Sequence, residues 1–152
     1  MTKKNLVVAQ SGGPTSAINA SLAGVFYEAL KNEKIEKVYG SKNGISGILN
    51  DNLIDVTNRF ENNDDLNLLK ITPAMALGSC RFKLPDLDKG ESVYFDILNT
   101  LKKYNIGYFI YIGGNDSMDT TDKLSKFFLS QNEDIKVVGV PKSLKYKLQT
   151  EI

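Results

Sequence analysis

Two stretches of this chain are apolar at nearly every position, Leu6 to Ala9 and Tyr108 to Ile112, and each stops at a glycine pair, Gly12-Gly13 and Gly113-Gly114. An uninterrupted apolar run of this length predicts a strand covered on both faces rather than one that alternates between core and water. After the first glycine pair, Ile18, Leu22, Val25, Phe26 and Leu30 recur at helical spacing, with Ser16 placed to cap the helix. Glu36 to Gly40 and Leu53 to Val56 read as short strands, separated by a run from Lys42 to Asp51 that is rich in turn formers. Asn58 to Leu69 reads as a helix, and Lys70 to Asp88 as a loop with little periodicity. Val93, Ile97, Leu101 and Tyr104 form a helical stripe, for which Asn105-Ile106-Gly107 predicts a glycine stop. Leu124, Phe127 and Phe128 mark one more helix, and Ile135 to Val140 a last apolar strand before Pro141. Strands alternating with helices predict an α/β fold, a parallel sheet with helices on both faces. Right-handed crossovers then put both glycine loops at the carboxyl ends of their strands, where such sheets bind ligands.

A length of 152 residues and a hydrophobic fraction of 41% suit one domain with a sizeable core. The charge is nearly balanced, 19 basic against 18 acidic side chains, which argues against a nucleic acid or an anionic membrane as partner. Histidine is absent, which removes Ser/His/Asp and Cys/His catalysis and every imidazole-bound metal. Any metal must then be held by oxygen, and magnesium is the one that pairs carboxylates with substrate phosphates. A single cysteine, Cys80, forms no intrachain disulfide, in keeping with a reducing compartment. The apolar run near the amino terminus is too short for a signal peptide or a membrane span, so the expected location is the cytoplasm.

A strand, a glycine loop and a helix start together make an anion site: the glycines admit close backbone approach, and the ligand meets the positive end of the helix dipole. A ligand-free tight turn accounts equally well for either pair taken alone. Ser11, Thr15 and Ser16 add hydroxyls around the first loop, whereas Pro14 has no N–H to offer. Arg81 stands out because the chain holds 17 lysines and only two arginines, Arg59 and Arg81. A guanidinium grips phosphate oxygens in a fork that lysine cannot form, although an ordinary surface arginine is the plain alternative. Asp116 and Asp119 stand at a helix start, where carboxylates serve as caps. Asp116 directly follows the glycine loop, which makes it either a magnesium ligand or a charged wall.

Four pieces occur in order: Ser11-Gly12-Gly13-Pro14 through Asn19-Ala20, Leu77-Gly78-Ser79-Cys80-Arg81, Ile112-Gly113-Gly114-Asn115-Asp116-Ser117, and Val140-Pro141-Lys142. The ordered set resembles the amino-terminal part of the phosphofructokinases, and Pro14 and Asp116 resemble the pyrophosphate-using branch. The resemblance implies a three-layer α/β/α Rossmann-like parallel sheet. It implies phosphoryl transfer from pyrophosphate, or from ATP in the other branch, to the 1-hydroxyl of fructose 6-phosphate in glycolysis, with Mg2+ as cofactor. Gly12, Gly13, Arg81, Gly113, Gly114, Asp116 and Ser117 would then bind donor phosphate. Asn115 and Asp116 would hold the metal, and Lys142 would neutralise transition-state charge. Asp116 would also repel the remainder of a nucleotide while sparing pyrophosphate.

Beyond Lys142 the pattern breaks. The family has Pro-Lys-Thr-Ile-Asp-Asn-Asp, and this chain has Lys145 and Lys147 at the two aspartate positions, the first of which is the family's base. An ordinary lysine is protonated at neutral pH and takes no proton from a sugar hydroxyl. The resemblance therefore implies that residues 1–144 form the donor-phosphate domain, that 145–152 are a divergent tail, and that the sugar-phosphate domain is absent. Such a chain is expected to be inactive alone, while the full-length family forms homo-oligomers. The alternative is a free-standing phosphate or nucleotide-binding module without catalysis.

Overall fold

The computed structural model describes residues 3–11, 16–57, 77 and 82–141. The predicted helix over 58–69 therefore lies outside the described residues. The elements are β1 (Lys4–Gln10), α1 (Ser16–Lys31), β2 (Ile35–Ser41), α2 (Ile45–Leu49), β3 (Leu53–Asp55), α3 (Leu87–Lys103), β4 (Ile106–Gly113), α4 (Asn115–Ser130) and β5 (Lys136–Pro141). They build one sheet in the order β3-β2-β1-β4-β5. β1 pairs in parallel with β2 and β4, and β4 pairs in parallel with β5.

The alternation of side chains along β1 and β4 sorts the core into two layers. Leu6 and Val8 of β1 and Ile112 of β4 pack with Leu22, Ala23 and Phe26 of α1. Val7, Ala9, Phe109 and Tyr111 point the other way and meet α3 and α4 through Ile97, Leu101, Leu124, Phe127 and Phe128. Each of these large side chains is at most 5% exposed, so each contributes about 1.5–3 kcal/mol of transfer free energy. Helices on both faces of a β/α-alternating sheet make the expected three-layer architecture.

Two details differ from the pattern read in the sequence. β3 runs antiparallel to β2, with Tyr39 opposite Asp55, because only eleven residues separate β2 from β3 and no crossover of full length fits. Within that connection the turn-forming residues include the short helix α2.

The helix stops also differ. Asn105, at φ 53°, ends α3, and its amide donates to the Lys102 carbonyl at 3.0 Å. Gly107 lies inside β4, where a Cβ would come within 2.6 Å of the Lys4 side chain. α4 closes in the same manner: Asn132 at φ 56° donates to Leu129 O at 3.1 Å, and Glu133 donates to Phe128 O at 2.9 Å, a Schellman arrangement. α2 repeats it with Asp51 at φ 57°. Asn and Asp tolerate the left-handed region better than other side chains, so they replace the glycine that the usual rule expects.

Candidate functional site

The strand order places the site. From β1 the chain passes through α1 to β2 on one side, and from β4 it passes through α4 to β5 on the other. The direction of winding reverses between β1 and β4, and open α/β sheets bind ligands beyond the carboxyl ends at such a point. Those ends are in register, with Ala9 opposite Tyr111 and Gln10 opposite Ile112. Pairing extends one residue further, where the Ser11 amide donates to Ile112 O at 2.8 Å. Gly113 is in turn the register partner of Pro141 at the end of β5. Ser11, Gly113 and Pro141 thus bring three strand ends to one edge of the sheet.

Gly113 has no room for a side chain. A Cβ there would come to 2.7 Å from the Ser117 Cβ and 3.2 Å from the Ser11 Cβ, and both serines are buried. The requirement is steric: the backbone of the second glycine loop lies against the residue that leads into the first. Gly114 then takes the N-cap of α4 in an extended conformation, φ −91° and ψ −157°, and no side chain caps it. Neither Asp116 nor Asp119 is the cap. Asp116 sits exposed in the first turn beside exposed Asn115, while Asp119 pairs with Lys123 at 2.9 Å. The first turn of α4 therefore presents its positive end, uncapped by a side chain, beside a carboxylate and an amide.

The residues that flank Gly78-Ser79-Cys80-Arg81 are held from both sides. Leu77 comes before them, and its amide donates to the Gln10 Oε1 at 3.0 Å while its carbonyl accepts from the Asn43 amide at 2.9 Å. Its side chain packs over Gly40, where a Cβ would lie 2.7 Å from the nearest Leu77 carbon. Downstream, Lys123 of α4 donates to the Leu84 carbonyl at 3.2 Å and pairs with Asp86 at 3.2 Å, and the Tyr94 hydroxyl donates to Pro85 O at 2.6 Å. Hydrogen bonding to Asp119, then to Asp86, holds the Lys123 ammonium above its ordinary pKa. Burial pushes the Tyr94 phenol up. Arg81 itself, together with Gly12, Gly13, Lys142 and Lys145, lies outside the described residues. Among the candidates, the structure brings Gly113, Gly114, Asn115, Asp116 and Ser117 together at the α4 start.

Gln10 carries no signal of its own in the sequence beyond being a polar residue at the end of an apolar strand. It is fully buried and holds the Leu77 amide across a separation of 67 residues. Among the described residues no group of three or more Asp, Glu, Cys or His side chains gathers around a metal position. No helix there is long and apolar enough to cross a membrane.

Residues 5–149 match the phosphofructokinase family profile. The chain belongs to the phosphofructokinase family. Pyrophosphate--fructose 6-phosphate 1-phosphotransferase of Rhodospirillum rubrum is 39% identical over 144 residues, covering 95% of this chain and 34% of the relative. The Xanthomonas campestris protein of the same name is 42% identical over 144 residues, with the same coverage. A crystal structure of pyrophosphate-dependent phosphofructokinase from Marinobacter aquaeolei superposes with a TM-score of 0.81 at 41% identity, covering 92% of this chain and 33% of that one. This phosphofructokinase chain thus spans about a third of the length of the relatives it matches.

Proposed function

We propose that this chain carries the donor-phosphate part of a pyrophosphate-dependent phosphofructokinase site. The observation that carries the reading is the close approach of Gly113 to Ser11, the residue that precedes the first glycine pair, at the point where the winding of the sheet reverses. In this reading Gly12, Gly13, Gly113 and Gly114 open the backbone to a diphosphate, with Ser117 behind the second loop. The uncapped start of α4 offers it N–H groups. Arg81 supplies forked donors to the phosphate oxygens from a segment whose two flanks are pinned by Gln10 and Lys123.

Exposed Asn115 and Asp116 are oxygen donors that suit magnesium, a hard cation that completes its shell with phosphate oxygens and water. When bound, the ion neutralises charge on the transferring phosphate. Asp116 also sets the donor: a carboxylate facing the loop repels the rest of a nucleotide and leaves room for pyrophosphate. Lys142 would steady negative charge as the bridging P–O bond breaks and the bond to the sugar 1-hydroxyl forms. The proton of that hydroxyl needs a base, and Lys145 is not one. Transfer to fructose 6-phosphate, assembly into a homo-oligomer and a cytoplasmic role in glycolysis therefore belong to a full-length enzyme, with this chain as its phosphate-binding third.

Titration calorimetry with pyrophosphate, in the presence and absence of magnesium, tests the reading. Expected is saturable binding strengthened by the metal, without turnover when fructose 6-phosphate is added. A cooperatively folded chain that takes up no heat with pyrophosphate overturns it.

A further inference from the structure

β2 ends beside β1 at the same carboxyl edge of the sheet that gathers Ser11 and Gly113. Val8 lies opposite Gly40, and the same parallel register carried two residues on sets Gln10 beside Lys42. Val38 packs in the α1 layer of the core, and Leu77 of that layer covers Gly40. Since strand side chains alternate, Lys42 belongs to the α1 face as well, next to Gln10 and Leu77. Two strand spacings, about 10 Å, separate its position from Ile112, the residue before the second glycine pair.

The backbone of Lys42 is held on several sides. Its amide donates to Asn52 O at 3.2 Å, which carries the β2–β3 ladder one step past the Ser41–Leu53 pair. The following amide, that of Asn43, donates to Leu77 O at 2.9 Å. Gly47 of α2 lies flat against the turn, because a Cβ there would come within 2.5 Å of the Lys42 carbonyl oxygen and 2.6 Å of its nitrogen. Buried Ser41 closes the turn by donating to Gly44 O at 2.6 Å.

This tightly built turn presents an exposed lysine that has no partner. Lys102, Lys103, Lys123 and Lys126 each pair with a carboxylate, whereas Lys42 has no ion pair or side-chain hydrogen bond among the described residues. A cation on a fixed backbone gives up less freedom when it meets an anion than one on a loose loop. An ammonium suits phosphate oxygens as a point charge.

We propose that Lys42 is a further donor-phosphate ligand, which grips the phosphate on the β1–β2 side of the site while the start of α4 meets the other. The inference rests on the donor-site reading and adds to it a residue from β2. The lysine stem and the length of a diphosphate together bridge the two strand spacings.

Titration calorimetry of the 152-residue chain with pyrophosphate and magnesium tests it, on the parent, Lys42→Gln, Lys42→Arg and Lys34→Gln. Lys42→Gln alters an exposed, unpaired side chain, so it should melt within about 2 °C of the parent. Its pyrophosphate affinity should fall at least about tenfold. Lys42→Arg keeps the charge and should bind within about threefold of the parent. Lys34→Gln removes the same charge from the amino-terminal edge of the sheet, where the Lys34 carbonyl accepts from the Lys4 amide, and should bind within about twofold. If the parent binds and folded Lys42→Gln binds equally well, the role of Lys42 is overturned and the donor-site reading stands. A loss as large in Lys34→Gln or in Lys42→Arg overturns it too, the first by showing an effect of overall charge and the second by showing that charge at this position does not hold the ligand. A parent that takes up no pyrophosphate overturns both.

Discussion

The Gln10 side chain, fully buried at the end of β1, accepts a 3.0 Å hydrogen bond from the amide of Leu77. It fixes Leu77, the residue that precedes Gly78-Ser79-Cys80-Arg81 in the chain, beside the carboxyl edge of the sheet. Replacing Gln10 with leucine keeps the volume but strands a buried N–H, a loss of about 1–3 kcal/mol. Urea unfolding of Gln10→Leu should show that loss, and its pyrophosphate affinity should drop with it. A variant as stable as the parent would mean that the Leu77 amide finds another acceptor.

Gly113→Ala should be among the costliest single-methyl changes in the chain. The added carbon meets the Ser117 Cβ at 2.7 Å and the Ser11 Cβ at 3.2 Å, and neither is the far end of a flexible side chain. Overpacking of this kind costs about 1–3 kcal/mol. Pairing Gly113→Ala with Ser117→Gly removes the closest obstruction, so the double variant should recover most of the lost denaturation midpoint. If it recovers none, the strain lies elsewhere in the loop.

The sheet was legible in the sequence because β1 and β4 are buried on both faces, which leaves an apolar run that no other element of that length explains. The helical stripes of α3 and α4 were legible for the same reason, since Ile97, Leu101, Leu124, Phe127 and Phe128 all reach the core. The antiparallel β3 was not. Its direction is set by the length of the connection through α2 and its pairing with β2, and three residues carry no directional pattern. The stop of α3 was misplaced because glycine is the usual left-handed residue, whereas Asn105 takes that conformation here and Gly107 answers to the crowding of Lys4. At the site, the glycine loop and Asp116 announce themselves, but Gln10 and Lys123 act through partners 67 and 39 residues away. Only the fold makes those neighbours.

Asp116 is exposed in the first turn of α4 and makes no cap there, so removing its carboxylate should disturb the donor rather than the fold. Asp116→Gly is expected to leave the unfolding midpoint within the usual range for a surface change, about 0.5 kcal/mol, with a small further loss from the helical glycine. Calorimetry should then register ATP binding that the parent lacks, at some expense to metal-assisted pyrophosphate binding. ATP affinity identical in parent and variant would remove Asp116 as the discriminating residue.

The junction of α2 and α3 gives the chain an alkaline limit. The Asp51 carboxylate, in the left-handed residue after α2, pairs with Lys103 and accepts a hydrogen bond from Tyr104 at the end of α3. The bond to Lys103, then that to Tyr104, lowers the Asp51 pKa below 3.8, and the bond to Asp51 raises Tyr104 from 10.0 to about 12. The folded state therefore keeps the phenol proton where the unfolded chain releases it. The contribution of Tyr104 is complete below pH 10 and disappears as the pH climbs toward about 12. At the acid end, the contribution of Asp51 is complete above 3.8 and is lost as the pH falls through its lower folded value. Tyr104→Phe keeps the ring packed edge-on to Tyr39 at 5.2 Å but removes the titrating proton. Melting temperatures from pH 8 to 12 should fall less steeply for the phenylalanine variant than for the parent, with the curves converging at the alkaline end. Parallel curves across that window would show that the Asp51–Tyr104 bond is not formed in solution.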